Sequence, residues 1–520
     1  MADGDGDSVD GDEIGVAAED DFDVVVIGGG SGSQVATAAA GCGLETAVIE
    51  PGPLGGACIT RGCVPSKALL QRAEVAETIR RAGRFGLEAS LESVDYGAIT
   101  AAVHDLVYEK ADRQERSLED ADGVTLFRGE GRFVDERTVA IDPVEGGDDD
   151  GPRRIQGEHV VIAVGSRPTT PPIDGLEDVD FLTSDDALFL EEQPDSLAVV
   201  GGGYVGAELA YFFAALGTEV TVVGRSDRLV PREDEAVSVA VTESLENRCD
   251  LYTGYEAAAV SQADGTVTVT AEPVEDTGDG DDGHDEDADP VDLEADALLV
   301  AAGRTPNTDT LDLENAGIGA DDEGYLETDD RLETGAENVW ALGDVLGAEP
   351  YKHAADYEAE IVAANVLTES GVLPETADLE REVDYRAMPH AIFTSPEAAS
   401  VGQTEDELEE SGREFESTRV SYDAAPKGLL LDLEAGEAFV KVLSSPDGEI
   451  LGCHVVGPDA ASLLQEVVVA MERGGGTVDD VAGTVHVHPA LNEVVLAAFE
   501  AAADRDLSTA PDWRDVAGDS

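Results

Sequence analysis

Lysine is almost missing from this chain. Five occur in 520 residues, at Lys67, Lys110, Lys352, Lys427 and Lys441. Lysine plus arginine reach 31 against 114 aspartates and glutamates, a formal net charge of −83. So large a deficit of positive charge excludes general electrostatic attraction to a nucleic-acid backbone or to an anionic membrane surface. Self-repulsion should be severe at low salt and relieved as the Debye length falls to about 3 Å at 1 M. The composition fits a very salty interior, where carboxylates keep the surface hydrated. A disordered acidic chain is the competing reading. It fails because 42% of the residues are hydrophobic and lie in dense blocks.

Cysteine is scarce as well. Cys42, Cys58, Cys63, Cys249 and Cys453 make an odd count, and the opening MADGDGDSVDGDEIG has neither a basic nor an apolar leader region. Both points argue against an exported disulfide framework. No apolar run approaches the roughly 18 residues of a membrane helix. A cytoplasmic protein without nucleic-acid or membrane partners is expected. The length suggests about three domains at ~150 residues each.

What is present is alternation. FDVVVIGG (22–29), ETAVIE (45–50), HVVIAVG (159–165), SLAVVGG (196–202), EVTVVG (219–224) and DALLVAAG (296–303) read as buried parallel strands, several followed by Ala-rich helices. This βαβ pattern occurs twice. After about residue 385, MPHAIFT, EAFVKVL and ILGCHVVG read as antiparallel strands, with LLQEVVVAM and LNEVVLAAFEAA as helices. Residues 1–20 and 505–520 read as acidic tails, and the acidic runs near 143–152 and 272–291 as enlarged hairpin loops. Cys42, Cys249 and Cys453 carry no evident role, and buried packing is the default expectation for them.

Four motifs carry chemistry. Gly28-Gly29-Gly30-Ser31-Gly32-Ser33 follows a strand and opens a helix. Gly28 and Gly30 permit a tight turn and close approach to a pyrophosphate at a helix N-terminus, and Ser33 replaces the third glycine, which should loosen the helix against the strand. Glu50 ends the next strand, where a carboxylate can take ribose hydroxyls. A second turn, Gly201-Gly202-Gly203-Tyr204-Val205-Gly206, retains all three glycines of its motif (Gly201, Gly203 and Gly206). The strand after it ends at Gly224-Arg225 instead of an acid. That exchange suits a 2′-phosphate, hence NADP, with Arg225 and Arg228 as its cations.

The third motif, GGACITRGCVPSK (55–67), places Cys58 and Cys63 after a double glycine. Such a pair can form a disulfide at the start of a helix, whose positive end lowers a thiol pKa. A metal half-site is the alternative, but no second pair of ligands has zinc spacing. Lys67 lies one helical turn past Cys63. The fourth is HPALNE, where His488 and Glu493 could form an oriented acid/base.

Together these motifs resemble the class I pyridine nucleotide-disulfide oxidoreductases, from about residue 21 to 504. ALGDV (341–345) and VAAGRTPNTD (300–309) are similar to further family segments. The resemblance implies an α/β fold of two Rossmann-like dinucleotide-binding domains and a C-terminal α+β dimerisation domain. FAD would lie in 21–180 and 306–384, NADP in 181–305, and the dimer interface in 385–504. It implies that Cys63 faces the flavin and Cys58 attacks substrate. It makes His488 the acid/base and Glu493 its orienter, both supplied to the partner subunit of a homodimer. Lys67 and Glu208 would pair near the flavin, and Tyr204 would gate the nicotinamide pocket. Gly28, Gly30, Ser33, Glu50, Gly165 and Asp344 are expected cofactor contacts, as are Gly201, Gly203, Tyr204, Gly206, Arg225, Arg228, Gly303 and Arg304. No metal site is expected.

The implied activity is NADPH-dependent reduction of a small disulfide. For a haloarchaeal member that disulfide would be bis-γ-glutamylcystine, with dihydrolipoamide dehydrogenation as the alternative. Mercury reduction is disfavoured because no cysteine follows Cys453. A flavoprotein without turnover is disfavoured by the intact Cys58, Cys63, His488 and Glu493.

Overall fold

A computed structural model describes residues 20–144, 153–274, 289–374, 379, 381–433 and 437–504. The acidic tails and most of both acidic insertions lie outside them. The chain has an α/β fold and divides into two interleaved units. One comprises Met1–Leu54, Gln114–Gly165 and Pro306–Val383, and the other Gly55–Arg113, Ser166–Thr305 and Asp384–Ser520. The three-way division by cofactor and interface given above stays a functional proposal.

The first unit is built on a seven-stranded sheet. Asp20–Ile27 pairs in parallel with Thr46–Ile49 on one side and Arg153–Ile162 on the other. Val24, Val26, Val48 and Val161 enter one core with Trp340, while Val25, Ile27, Ile49 and Ile162 enter a second. Both faces of these strands are therefore covered, which explains why they read as continuous apolar runs and not as alternation. Thr138–Pro143 and Arg153–Ile162 pair antiparallel, so the insertion between them joins hairpin neighbours.

The second unit holds three larger sheets, beside a two-stranded pairing of Ser166–Pro168 with Arg304–Pro306 at its border with the first. Asp250–Thr253, Glu219–Gly224, Ser196–Val200 and Ala297–Val300 form a parallel sheet in that order. Tyr255–Ala263, Thr266–Pro273 and Val291–Ala295 form an antiparallel one, and the second acidic insertion joins its last two strands. Five antiparallel strands follow after residue 388, in the order Pro389–Ile392, Ala398–Gly402, Ile450–Val456, Phe439–Ser444, Glu416–Ser421. Helix Ala460–Arg473 packs on this last sheet through Leu463, Leu464 and Val467.

Two helices of this unit matter most for the site. Tyr204–Leu216 is apolar nearly all round and buried from Gly206 to Phe213, as expected of a helix enclosed on every side. Cys63–Arg81 shares its core through Leu69, Leu70, Ala73 and Ala76.

Cys42 departs from the expected buried packing. It caps the C-terminus of helix Gly32–Gly41 and is exposed, whereas Cys249 and Cys453 are buried. Lys441 belongs to no motif, yet it sits in the fully buried strand Phe439–Ser444. Its Nζ lies 2.7 and 2.8 Å from the Asp234 carboxylate and 3.0 Å from Glu405. Removing one partner of a buried pair strands the other charge. Lys441→Met should therefore destabilise the protein by about 3–5 kcal/mol, read from denaturant unfolding in molar salt.

Candidate active site

In the first unit, Gly28 has φ +114, and a Cβ there would stand 2.2 Å from the carbonyl oxygen of Ala163. Only glycine permits that approach. The Glu50 carboxylate closes the turn, accepting hydrogen bonds from the amides of Gly29 at 2.7 Å and Gly52 at 2.9 Å. Ser33 does not loosen the helix as expected. It is buried and its hydroxyl donates to the Gly30 carbonyl at 2.7 Å. The close approach falls one residue earlier, at Gly32, where a Cβ would meet Ala163 and Val26 at 2.7 and 2.8 Å. Gly165 has φ +67 with open space beside it. Asp344, half-buried, begins a short turn after strand Val339–Ala341. A glycine cradle, an anchored acid and a second acid on a neighbouring strand end fit a dinucleotide such as FAD.

The second unit repeats the turn. Gly201 has φ +124 and a Cβ would lie 2.2 Å from the Ala301 carbonyl; at Gly206 it would lie 2.0 Å from the Gly201 carbonyl. Gly203 has open space. Gly224 differs: a Cβ there would make ordinary contacts of 3.5 Å with Gly202. A Cβ alone would therefore fit at 224, so no backbone clash forces the glycine. Arg225 is exposed. Arg228 is committed to Glu235 at 2.7 Å, an exposed pair, and Arg304 is tied through Nε and Nη2 to the Ser166 hydroxyl and carbonyl, both at 2.7 Å. Gly303 has φ +115, near the Thr169 hydroxyl. Of the three arginines expected to touch cofactor, Arg225 is the one these ties leave aside.

The redox segment follows two left-handed glycines, Gly55 and Gly56 at φ +111 and +61. Cys58 lies in the short helix Gly56–Arg61, and Cys63 begins helix Cys63–Arg81 after a break at Gly62. Both cysteines are free thiols. A hydrogen bond from the Cys58 thiol and the Lys67 charge outweigh burial and Glu208, and lower the Cys63 pKa to about 6. Lys67 Nζ reaches both oxygens of the buried Glu208 carboxylate, at 2.9 and 2.6 Å. The Phe393 amide donates to Glu208 at 3.0 Å, and its ring lies under Lys67. Arg61, one turn from Cys58, pairs with Asp185 at 3.3 Å.

His488 Nδ1 lies 2.8 Å from Glu493, which also accepts the Ala490 amide at 3.0 Å. Burial opposes ionisation of Glu493, but these bonds outweigh it and hold the carboxyl below the usual range. With Nδ1 so engaged, Nε2 is left to exchange a proton. The His488 side chain is 66% exposed and follows Val485 and Val487, themselves 99% and 71% exposed. Its neighbour His486 turns inward to Glu466 at 2.7 Å.

A buried polar cluster was missed. Glu233 accepts hydrogen bonds from Tyr204, His390 and Ser400, and Ser400 contacts His454. No motif spacing joins residues so distant in sequence; the only signal was polar residues within apolar strands.

Because Lys67 helps hold Cys63 as a thiolate, the ultraviolet thiolate absorbance of the reduced enzyme should titrate with a midpoint near 6. Lys67→Met removes the cation and leaves Glu208 facing the thiol, so that midpoint should move up, toward an ordinary cysteine at about 8.5.

The comparisons with known proteins agree on one family. The pattern described as pyridine nucleotide-disulphide oxidoreductase matches residues 22–364, and its dimerisation domain matches 388–499. A dihydrolipoyl dehydrogenase of Haloferax volcanii is 36% identical over 491 residues, 94% of this chain and 97% of that protein. A mercuric reductase of Staphylococcus aureus is 33% identical over 456 residues, 87% of this chain and 78% of its own length. Among solved structures, the HOCl-induced flavoprotein disulfide reductase RclA from Escherichia coli superposes with a TM-score of 0.76 at 26% identity, covering 92% of this chain and 99% of that one.

Proposed function

The chain belongs to the pyridine nucleotide-disulphide oxidoreductases, a family of homodimeric enzymes using FAD and NAD(P)H, and we propose that it exchanges reducing equivalents with a lipoyl-type dithiol. The observation that carries the chemistry is Cys63, a low-pKa thiol hydrogen-bonded to Cys58 and one turn from the Lys67–Glu208 pair.

FAD, when bound, supplies a two-electron relay between nucleotide and protein thiols. The chain's own steps balance. A hydride equivalent added to the Cys58–Cys63 disulfide yields the Cys63 thiolate and the Cys58 thiol. Cys58 gives its proton to His488 of the partner subunit and attacks the substrate disulfide. One thiol leaves, taking that proton, and a mixed disulfide remains on Cys58. Cys63 thiolate then attacks Cys58, re-forms the protein disulfide and expels the second thiolate, which takes a proton from solvent. Run in reverse, the same steps oxidise a dithiol and reduce the nucleotide.

The order of substrates differs from the sequence expectation. Acidity pointed to bis-γ-glutamylcystine, but a dihydrolipoyl dehydrogenase from the haloarchaeon Haloferax volcanii is 36% identical, so acidity no longer separates the two. The reductase reading keeps one observation in its favour, a strand that ends in Gly224 and the exposed Arg225 where an acid would select NAD.

A panel in molar salt tests both. Dihydrolipoamide is offered with NAD⁺ or NADP⁺, and bis-γ-glutamylcystine and glutathione disulfide with NADH or NADPH. Fastest turnover on dihydrolipoamide supports the lipoyl reading. NADPH-dependent reduction of bis-γ-glutamylcystine without dihydrolipoamide oxidation overturns it in favour of the reductase. Cys58→Ser should keep its flavin and lose activity by about three orders of magnitude or more, the scale of nucleophile deletions; near-wild-type turnover would remove Cys58 from the mechanism.

A further inference from the structure

We propose that Glu233 and His390 are positioning residues for Tyr204, holding its ring as the wall against which the nicotinamide of the pyridine nucleotide stacks. This rests on assigning the second glycine turn to that nucleotide.

Glu233 is nine-tenths buried or more, with a side chain 2% exposed. One of its oxygens, Oε1, takes both the Tyr204 hydroxyl at 2.6 Å and His390 Nε2 at 2.7 Å. The other takes the Ser400 hydroxyl at 2.7 Å. A buried carboxylate bound to three donors is costly to disturb. Burial opposes its ionisation, yet the His390, Tyr204 and Ser400 bonds keep its pKa below the ordinary range. The Tyr204 and His390 rings stack at 6.1 Å and 23°. The phenol is thus fixed at its tip by the acid and on its face by the imidazole.

Tyr204 is the first residue of the helix that leaves the glycine turn. Glu208, one turn on, is held by the Phe393 amide. Residues 390 and 393 therefore grip two successive points on one helix face: the aromatic ring, and the acid that binds Lys67. An aromatic ring fixed before the ligand arrives spares the ordering cost of binding. Neither Glu233 nor His390 reaches the reacting thiols by these contacts, so their effect should fall on the nucleotide alone.

The test measures steady-state kinetics of Tyr204→Phe, His390→Ala, His390→Gln and the Tyr204→Phe/His390→Ala double variant, using whichever nucleotide the wild type turns over. Loss of one such hydrogen bond should raise the nucleotide KM about five- to tenfold. The thiol-substrate KM should stay within about twofold. His390→Gln keeps a donor to Glu233 and should recover most of the loss. The double variant should cost less than the product of the singles, because both act through one carboxylate. Flavin content and dimer mass check folding. The proposal is overturned if both single variants keep the nucleotide KM within about twofold of wild type, or if the thiol KM rises equally. A wild type that oxidises NADPH poorly but uses NADH removes only the NADP assignment. A wild type that uses neither overturns the functional reading and this inference together.

Discussion

The packing of helix Cys63–Arg81 with helix Tyr204–Leu216 is the constraint from which the thiol chemistry follows. Small and branched apolar residues, among them Leu69, Ala73, Ala207 and Ala210, share one core. That packing brings Lys67 to Glu208 across 141 positions of sequence. The ion pair is partly buried, so salt screens it less than it screens the surface. Beside Cys63 the hydrogen bond from Cys58 and then the Lys67 charge favour the thiolate against burial and Glu208, and a thiol that ionises near 6 is thiolate at neutral pH. Moving either helix by one residue would rotate the lysine away from the acid and leave the buried Glu208 carboxylate without its cation.

The surplus of acid makes individual cations informative. Lys67 and Lys441 are the two lysines bonded to buried carboxylates, Glu208 and Asp234. In a chain of net charge −83 such pairings are not chance encounters on a mixed surface. One sits by the thiols; the other locks strand Phe439–Ser444 to the start of helix Glu235–Glu246 through its N-cap Asp234. The exposed arginine pairs, such as Arg228 with Glu235, belong to a different class: solvated, salt-sensitive and worth little to stability.

Glu233 shows how far a buried acid can reach when it is fully hydrogen-bonded. It ties the turn before helix Glu235–Glu246 to Tyr204 at the mouth of a glycine turn, and to strands Pro389–Ile392 and Ala398–Gly402. Through Ser400 it meets His454, which closes on the Gln403 carbonyl. The parallel sheet and the five-stranded antiparallel sheet of this unit are thereby joined by polar contacts as well as by the apolar core.

By itself, the sequence determined the parallel strands, both glycine turns, the cysteine pair and the HPALNE segment. Each is local: a run of buried residues, a positive φ or a short spacing that one stretch of chain imposes. Glu50 could be placed on the same grounds, because it ends the strand beside the turn it closes. Tertiary structure alone decided the rest. It took Arg228 and Arg304 into bonds with Glu235 and Ser166, put Gly32 rather than Ser33 at the tight contact, and turned Cys42 outward. It also assembled Tyr204, Glu233, His390 and Ser400, which lie on four separate stretches of chain. A side chain's partner depends on which elements pack together, and no local pattern records that.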